Sequence, residues 1–170
     1  MPDIDWLDIY RRVVLNDGHG AIGNRDVDRV ISEIIGNQTI AEMIEHSFTT
    51  DPSAELTIRI LMNLRSKWAT DYCYRIYTED ENITRKRSSV ELLSSIAHES
   101  AFPWAFQFLD DEDLVIQRYG ARLVQVSIEY GLIDPDQCKQ IFKKMEGHHN
   151  KNVRSFYQGI QEQLLRNDPL

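Results

Sequence analysis

Apolar side chains recur every three or four residues along almost the whole chain, and no stretch of strand length alternates apolar with polar. Ile40, Met43, Ile44 and Phe48 form one such stripe, and Trp68, Tyr72 and Ile76 another. Stripes of this kind are buried only when helix packs on helix, so the expected fold class is all-α. Helices are expected over 3–16, 24–35, 39–48, 52–65, 67–78, 84–98, 101–109, 113–130, 135–146 and 151–166. Their short connections make consecutive helices antiparallel neighbours.

Several helix starts carry a chemical signature. Thr39-Ile40-Ala41-Glu42 reads as a capping box, with Thr39 at the N-cap and Glu42 reaching back. Asp51-Pro52 and Asp134-Pro135 each place an acceptor at the N-cap and a proline at the first helical position, where its missing N–H costs nothing.

A chain of 170 residues suits one domain, which buries about 70% of the surface its unfolded form exposes. Cys73 and Cys138 are too few for a disulfide framework and make no zinc-type pair, so both read as small buried side chains in a reducing compartment. The N-terminus is acidic, Met1-Pro2-Asp3-Ile4-Asp5, where an export signal needs positive charge, and no apolar run approaches the roughly 18 residues of a membrane span. The expected location is cytoplasmic, with no membrane association. Net charge is −8, divided unevenly: residues 1–80 carry 8 basic and 14 acidic side chains, and residues 81–170 carry 11 and 13. Such a surface repels phosphate backbones and attracts basic ones, which disfavours nucleic acid as a partner.

Motifs for catalysis are absent. Gly18-His19-Gly20-Ala21-Ile22-Gly23 matches a dinucleotide-binding pattern, but it follows a helical stretch rather than a strand and reads as a helix end and link. Among His19, His46, His98, His148 and His149 none is spaced for metal; the adjacent His148 and His149 would point about 100° apart on a helix and are expected in a surface loop after Gly147. No catalytic, cofactor-binding or metal-binding residue is expected, and the chain is read as no enzyme.

Arginines mark a recurrence. Arg59, Arg87, Arg118 and Arg154 each sit within an apolar helical stripe, 28, 31 and 36 positions apart. The segments from Asp113 to Leu123 and from Asn152 to Phe156 resemble second helices of HEAT repeats, in which an aspartate near the turn and a valine-arginine pair recur. Val153-Arg154 keeps the adjacent pair, and Ala121 the small residue three positions after an arginine. The resemblance implies a HEAT-like right-handed solenoid of antiparallel helical hairpins over 51–166, with 1–48 as an N-terminal helical cap, in one domain spanning 1–170. It also implies a protein-binding scaffold, or less commonly one bent around DNA. The alternative is an irregular helical bundle in which the spacing of the arginines is coincidental.

Two acidic clusters, Glu79-Asp80-Glu81 and Asp110-Asp111-Glu112-Asp113, lie about one repeat apart and each precedes an arginine-bearing helix. Stacked hairpins would bring them to one edge as an acidic ridge; the alternative is that the carboxylates cap helix N-termini. Trp68, Tyr72 and Ile76 are expected to face the core, which leaves Tyr74 and Tyr77 exposed. Phe102, Phe106 and Leu109 are likewise expected inside, with Trp104 and Phe108 turned elsewhere. The expected partner-binding set is Glu79, Asp80, Glu81, Asp110, Asp111, Glu112, Asp113, Tyr74, Tyr77 and Trp104. The basic run Arg85-Lys86-Arg87 balances the first cluster. The function expected from this is a non-enzymatic module that captures a basic protein; in general character the chain resembles immunity proteins, the antitoxins that neutralise nucleases and other toxins. The alternative is a nucleic-acid-binding protein or DNA-repair enzyme, which needs Arg59, Arg87, Arg118, Arg122 and Arg154 to converge on a concave face.

Overall fold

A computed structural model describes residues 24–167. Among the described residues the chain is helical with no strand, as the 3.6-residue period requires. The helices are α1 (Asn24–Ile35), α2 (Asn37–Ser47), α3 (Ala54–Leu64), α4 (Lys67–Glu79), α5 (Ile83–Ile96), α6 (Ala105–Leu109), α7 (Leu114–Glu129), α8 (Lys139–Glu146) and α9 (Lys151–Asn167), with 3-10 segments at Glu99–Trp104 and Pro135–Cys138. The helix expected at 3–16, the glycine pattern at 18–23 and His19 lie outside the described residues. No described helix is long and apolar enough to cross a membrane.

Helix bodies fall where the periodicity puts them; the starts do not always. Thr39 is not an N-cap. Gly36, at φ +81°, reverses the chain immediately after α1, so α2 begins at Asn37 and Thr39 lies inside its first turn. Glu42 then accepts from Gln38 at 2.9 Å instead of reaching back. Asp51 accepts the Ser53 N–H and hydroxyl at 2.8 and 2.5 Å, which makes a turn ahead of the helix and delays α3 to Ala54. Those two bonds hold its carboxyl below the usual range. Asp134 behaves as read, accepting the Asp136 N–H at 2.9 Å with Pro135 at the first position of the 3-10 segment.

Contacts divide the chain into two compact units, Met1–Tyr72 and Cys73–Leu170. In the first, α2 packs on α3 and α1 touches both; Ile40, Ile44, Leu61 and Ala69 are wholly buried. Trp68 stacks on Tyr72 with centroids 5.1 Å apart, and the Tyr72 hydroxyl donates to Glu45. The cap boundary expected at 48–51 falls inside this unit, between the paired α2 and α3.

In the second unit α7 is the central helix, packed on α5, α6 and α9, while α8 packs on α9. Leu93, Phe108, Leu123, Ile141, Met145 and Val153 are buried along these contacts. Gly120 in α7 lets α6 approach closely: a Cβ there would lie 2.7 Å from the Phe108 Cβ. Cys73 and Cys138 are buried free thiols as expected, and burial, reinforced by Asp134, pushes the Cys138 thiol up to about 11. The Ser127 hydroxyl is buried without a hydrogen-bond partner. Its desolvation is uncompensated, so Ser127→Ala is expected to raise stability by about 1 kcal/mol, read as a higher urea midpoint with an unchanged m-value.

Two aromatic expectations are reversed. Phe108 is wholly buried, whereas Phe102 and Phe106 are half-buried. The cause is the 3-10 segment around Pro103: it advances 120° per residue rather than 100°, so a single α-helical phase does not run through 101–109. Tyr77 is also inside, with 7% of its surface exposed. The inward face of α4 in this unit is Cys73, Ile76 and Tyr77, spaced i, i+3, i+4, and Tyr77 meets Phe108 edge-on at 4.9 Å.

Candidate partner-binding edge

The turns leading into α5, α7 and α9 share one hydrogen-bond plan. Asn82, Asp113 and Asn150 stand at equivalent places, 31 and 37 positions apart. The side chain of Asn82 accepts the Thr84 N–H at 2.9 Å, that of Asp113 the Val115 N–H at 2.9 Å, and that of Asn150 the Asn152 N–H at 3.0 Å. Two residues earlier another side chain secures the cap itself: Asp80 accepts the Asn82 N–H at 2.7 Å, Asp111 that of Asp113 at 2.8 Å, and His148 Nδ1 that of Asn150 at 3.1 Å. Four residues after the cap, Gln117 donates to the Asp111 carbonyl at 2.6 Å, and Arg154 to the His148 and His149 carbonyls.

Cross-links join the turns into one edge. Arg87 on α5 clasps Asp113, its Nε and Nη2 donating at 3.0 and 2.5 Å. The Tyr77 hydroxyl donates to Asp111 at 2.8 Å, and Lys144 pairs with Asp110. Asn150 Nδ2 donates to the Leu114 carbonyl and to Gln117. His148 Nε2 lies 2.9 Å from the Leu109 carbonyl. That carbonyl only accepts and the Asn150 N–H only donates, so His148 carries its proton on Nε2. His148 is therefore no surface-loop residue: it is 8% exposed, with both ring nitrogens engaged inside the fold.

The electrostatics follow from these contacts. Arg87, followed by the Ile116 and Val115 amides, holds the Asp113 carboxyl below its usual range, and the same pair raises Arg87. The Asn82 N–H, followed by Arg85, lowers Asp80. Burial, followed by the bond to Asp111, pushes the Tyr77 hydroxyl up. A depressed carboxyl contributes stability that is complete above its unfolded pKa, about 3.9, and is lost as pH falls through the lower folded value. Asp113→Asn keeps a capping oxygen but loses the charge on which Arg87 closes. It should be less stable than wild type at neutral pH, with the gap narrowing below about pH 4; parallel urea midpoints across pH 2–7 would contradict the assignment.

The seven acidic residues thus separate by role. Asp80, Asp111 and Asp113 are used inside the fold, as caps and ion-pair partners. Asp110 is exposed and paired with Lys144. Glu79, Glu81 and Glu112 are exposed, and among the described residues their side chains make no hydrogen bond or ion pair. Tyr77, two residues ahead of the first cluster, bonds to Asp111 in the second, which brings the two near each other. Tyr74 and Trp104 are half-buried, stacked at 3.9 Å and 9°, with the Tyr74 hydroxyl donating to Gln107. Tyr77 is withdrawn from the set by its burial.

Sequence reading missed two residues here. Ile83 and Leu114, each directly after a cap, are 44% and 56% exposed. The signal was present as a repeated triplet, Glu81-Asn82-Ile83 and Glu112-Asp113-Leu114, whose counterpart in the third turn is His149-Asn150-Lys151.

No protein family, curated protein or solved structure matches this chain. Among the described residues no group of His, Cys, Asp or Glu is arranged to hold a metal ion. Exposed carboxylates at the edge can accept hydrogen bonds from lysine or arginine, and aliphatic and aromatic side chains stand beside them.

Proposed function

We propose that this chain is a non-enzymatic protein-binding module that captures a basic protein through the acidic edge of its second unit, the role an immunity protein plays toward a basic toxin such as a nuclease. The observation that carries the reading is the exposure of Glu79, Glu81 and Glu112 without an internal partner, beside turns whose other carboxylates are all engaged. Capping and ion pairing engage Asp80, Asp111 and Asp113, and the side chains of these three glutamates take part in neither. A HEAT-like solenoid is the architecture that suits it, and is supported by the recurring turn plan and by α7 lying between α5 and α9.

Of the five arginines that the nucleic-acid alternative needs, three have partners within the fold: Arg59 pairs with Glu55 on its own helix, Arg87 with Asp113, and Arg154 with two carbonyls.

The test is charge reversal where it leaves the fold alone: Glu79→Lys, Glu81→Lys and Glu112→Lys together. Wild type is expected to retain a basic protein from lysate of its own cells, with affinity falling as salt rises, and the triple variant to lose it by tenfold or more. Equal recovery by both, or salt-sensitive binding of a labelled DNA duplex by wild type, would overturn the reading.

A further inference from the structure

We propose, building on the basic-partner reading above, that Ile83 and Leu114 are the apolar anchors of the edge and that its occupant is an amphipathic helix carrying aliphatic residues flanked by lysine or arginine. An isolated exposed aliphatic is ordinary. Here two occupy the same place in consecutive turns, each the first residue of its helix and each preceded, across the cap, by an exposed glutamate.

The turns bring these two anchors together. Ile83 lies one turn before Arg87 on the same face of α5, and Arg87 clasps Asp113, the neighbour of Leu114. α5 packs on α7, and packed helices lie about 8–10 Å apart, so a partner helix with aliphatic residues at i and i+7, which rise about 10.5 Å, is the probe for that spacing. An aliphatic centre with a carboxylate rim has the anatomy of an interface core and its polar border.

Charge selects the occupant. A second copy of this chain would bring Glu81 and Glu112 against like charges, on a molecule of net charge −8. A cationic helix meets Glu81 beside the first anchor and Glu112 beside the second, while Arg85 and Arg87, which follow Ile83, are paired with Asp80 and Asp113. Toward the third turn the exposed residues change to His149 and Lys151, which limits the acidic stretch to the two turns that bear anchors.

The probes are three synthetic 15-residue helical peptides: one with leucine at i and i+7 among lysines, one with those leucines replaced by alanine, and one with the lysines replaced by glutamate. Binding is measured by fluorescence anisotropy at moderate ionic strength, for wild type and for Ile83→Ser/Leu114→Ser, whose melting temperature should be unchanged because both side chains are exposed. Wild type is expected to hold the leucine-lysine peptide about tenfold more tightly than the alanine-lysine one, and the double serine variant to lose that preference while still binding both weakly. If the two basic peptides bind wild type alike, or the preference survives in the serine variant, the anchors are wrong and the basic-partner reading stands. If wild type binds neither basic peptide, that reading fails and the anchors with it. If sedimentation shows a wild-type dimer that the serine variant abolishes, the occupant is a second copy and the proposal is overturned.

Discussion

Gly120→Ala is expected to destabilise the second unit by about 1–3 kcal/mol, even though alanine is the better helix former by about 1 kcal/mol. The added methyl would lie 2.7 Å from the Phe108 Cβ, 3.2 Å from the Leu109 nitrogen and 3.3 Å from the Phe108 carbonyl carbon. Two of those atoms are backbone and the third is fixed to it, so relief requires α6 to move rather than a side chain to rotate. A double-mutant cycle distinguishes this from a general packing defect. Phe108→Ala alone should cost about 3–5 kcal/mol as a core truncation, yet it keeps the clashing Cβ and should not relieve Gly120→Ala. Phe108→Gly removes that Cβ and should show a favourable coupling. Gly159 serves as the control, because a Cβ there meets nothing within 4 Å, and Gly159→Ala in α9 should be neutral or stabilising in the same urea titrations. Equal effects at 120 and 159 would contradict the close α6–α7 approach.

His148→Ala is expected to cost about 2–4 kcal/mol, since it strands two groups at once, each worth about 1–3 kcal/mol when left unpaired in a buried place. These are the Leu109 carbonyl and the Asn150 N–H. The turn plan supplies the informative rescue. Asp80 and Asp111 do for their caps what His148 Nδ1 does for Asn150, and asparagine can do the same. His148→Asn should therefore recover the bond to the Asn150 amide, leave the Leu109 carbonyl unmet, and regain about half the loss. Amide exchange at Asn150 reads the first bond separately, and should be fast in the alanine variant and slow again with asparagine. Melting temperatures indistinguishable among the three proteins would rule out His148 as a structural brace.

The helices were legible because burial of a stripe leaves a period that nothing else produces: Ile40 with Ile44, and Ile116 with Leu123 and Val124, are apolar in sequence and buried in the fold. Starts were less so, because several side chains can satisfy the same amide. Thr39 looked like a cap only until Gly36 made the turn earlier. The even spacing of the arginines does not correspond to a shared role. The evenly spaced arginines perform separate tasks, Arg59 within its helix, Arg87 across to the next turn, Arg118 over the Tyr119 ring and Arg154 within its own turn. The caps carry the recurrence, but Asp, Asp and His share one acceptor position and Asn, Asp and Asn the next, so identity hides what hydrogen bonding reveals. At the edge, the acidic clusters could be found from charge alone. Ile83 and Leu114 could not, since an aliphatic at a helix start acquires meaning only once its exposure is known.

The three turns also give the edge a direction. Exposed carboxylates crowd the first two, while the third ends in His149 and Lys151 with Lys144 drawn toward Asp110. A potential that changes sign along a row acts as an electric vector as well as an attraction. A cationic segment sliding along the row would be turned back at one end, and one arriving reversed would present its charges to the wrong rungs. On the proposed basic-partner reading, the edge would dictate which way round that partner lies and where it stops.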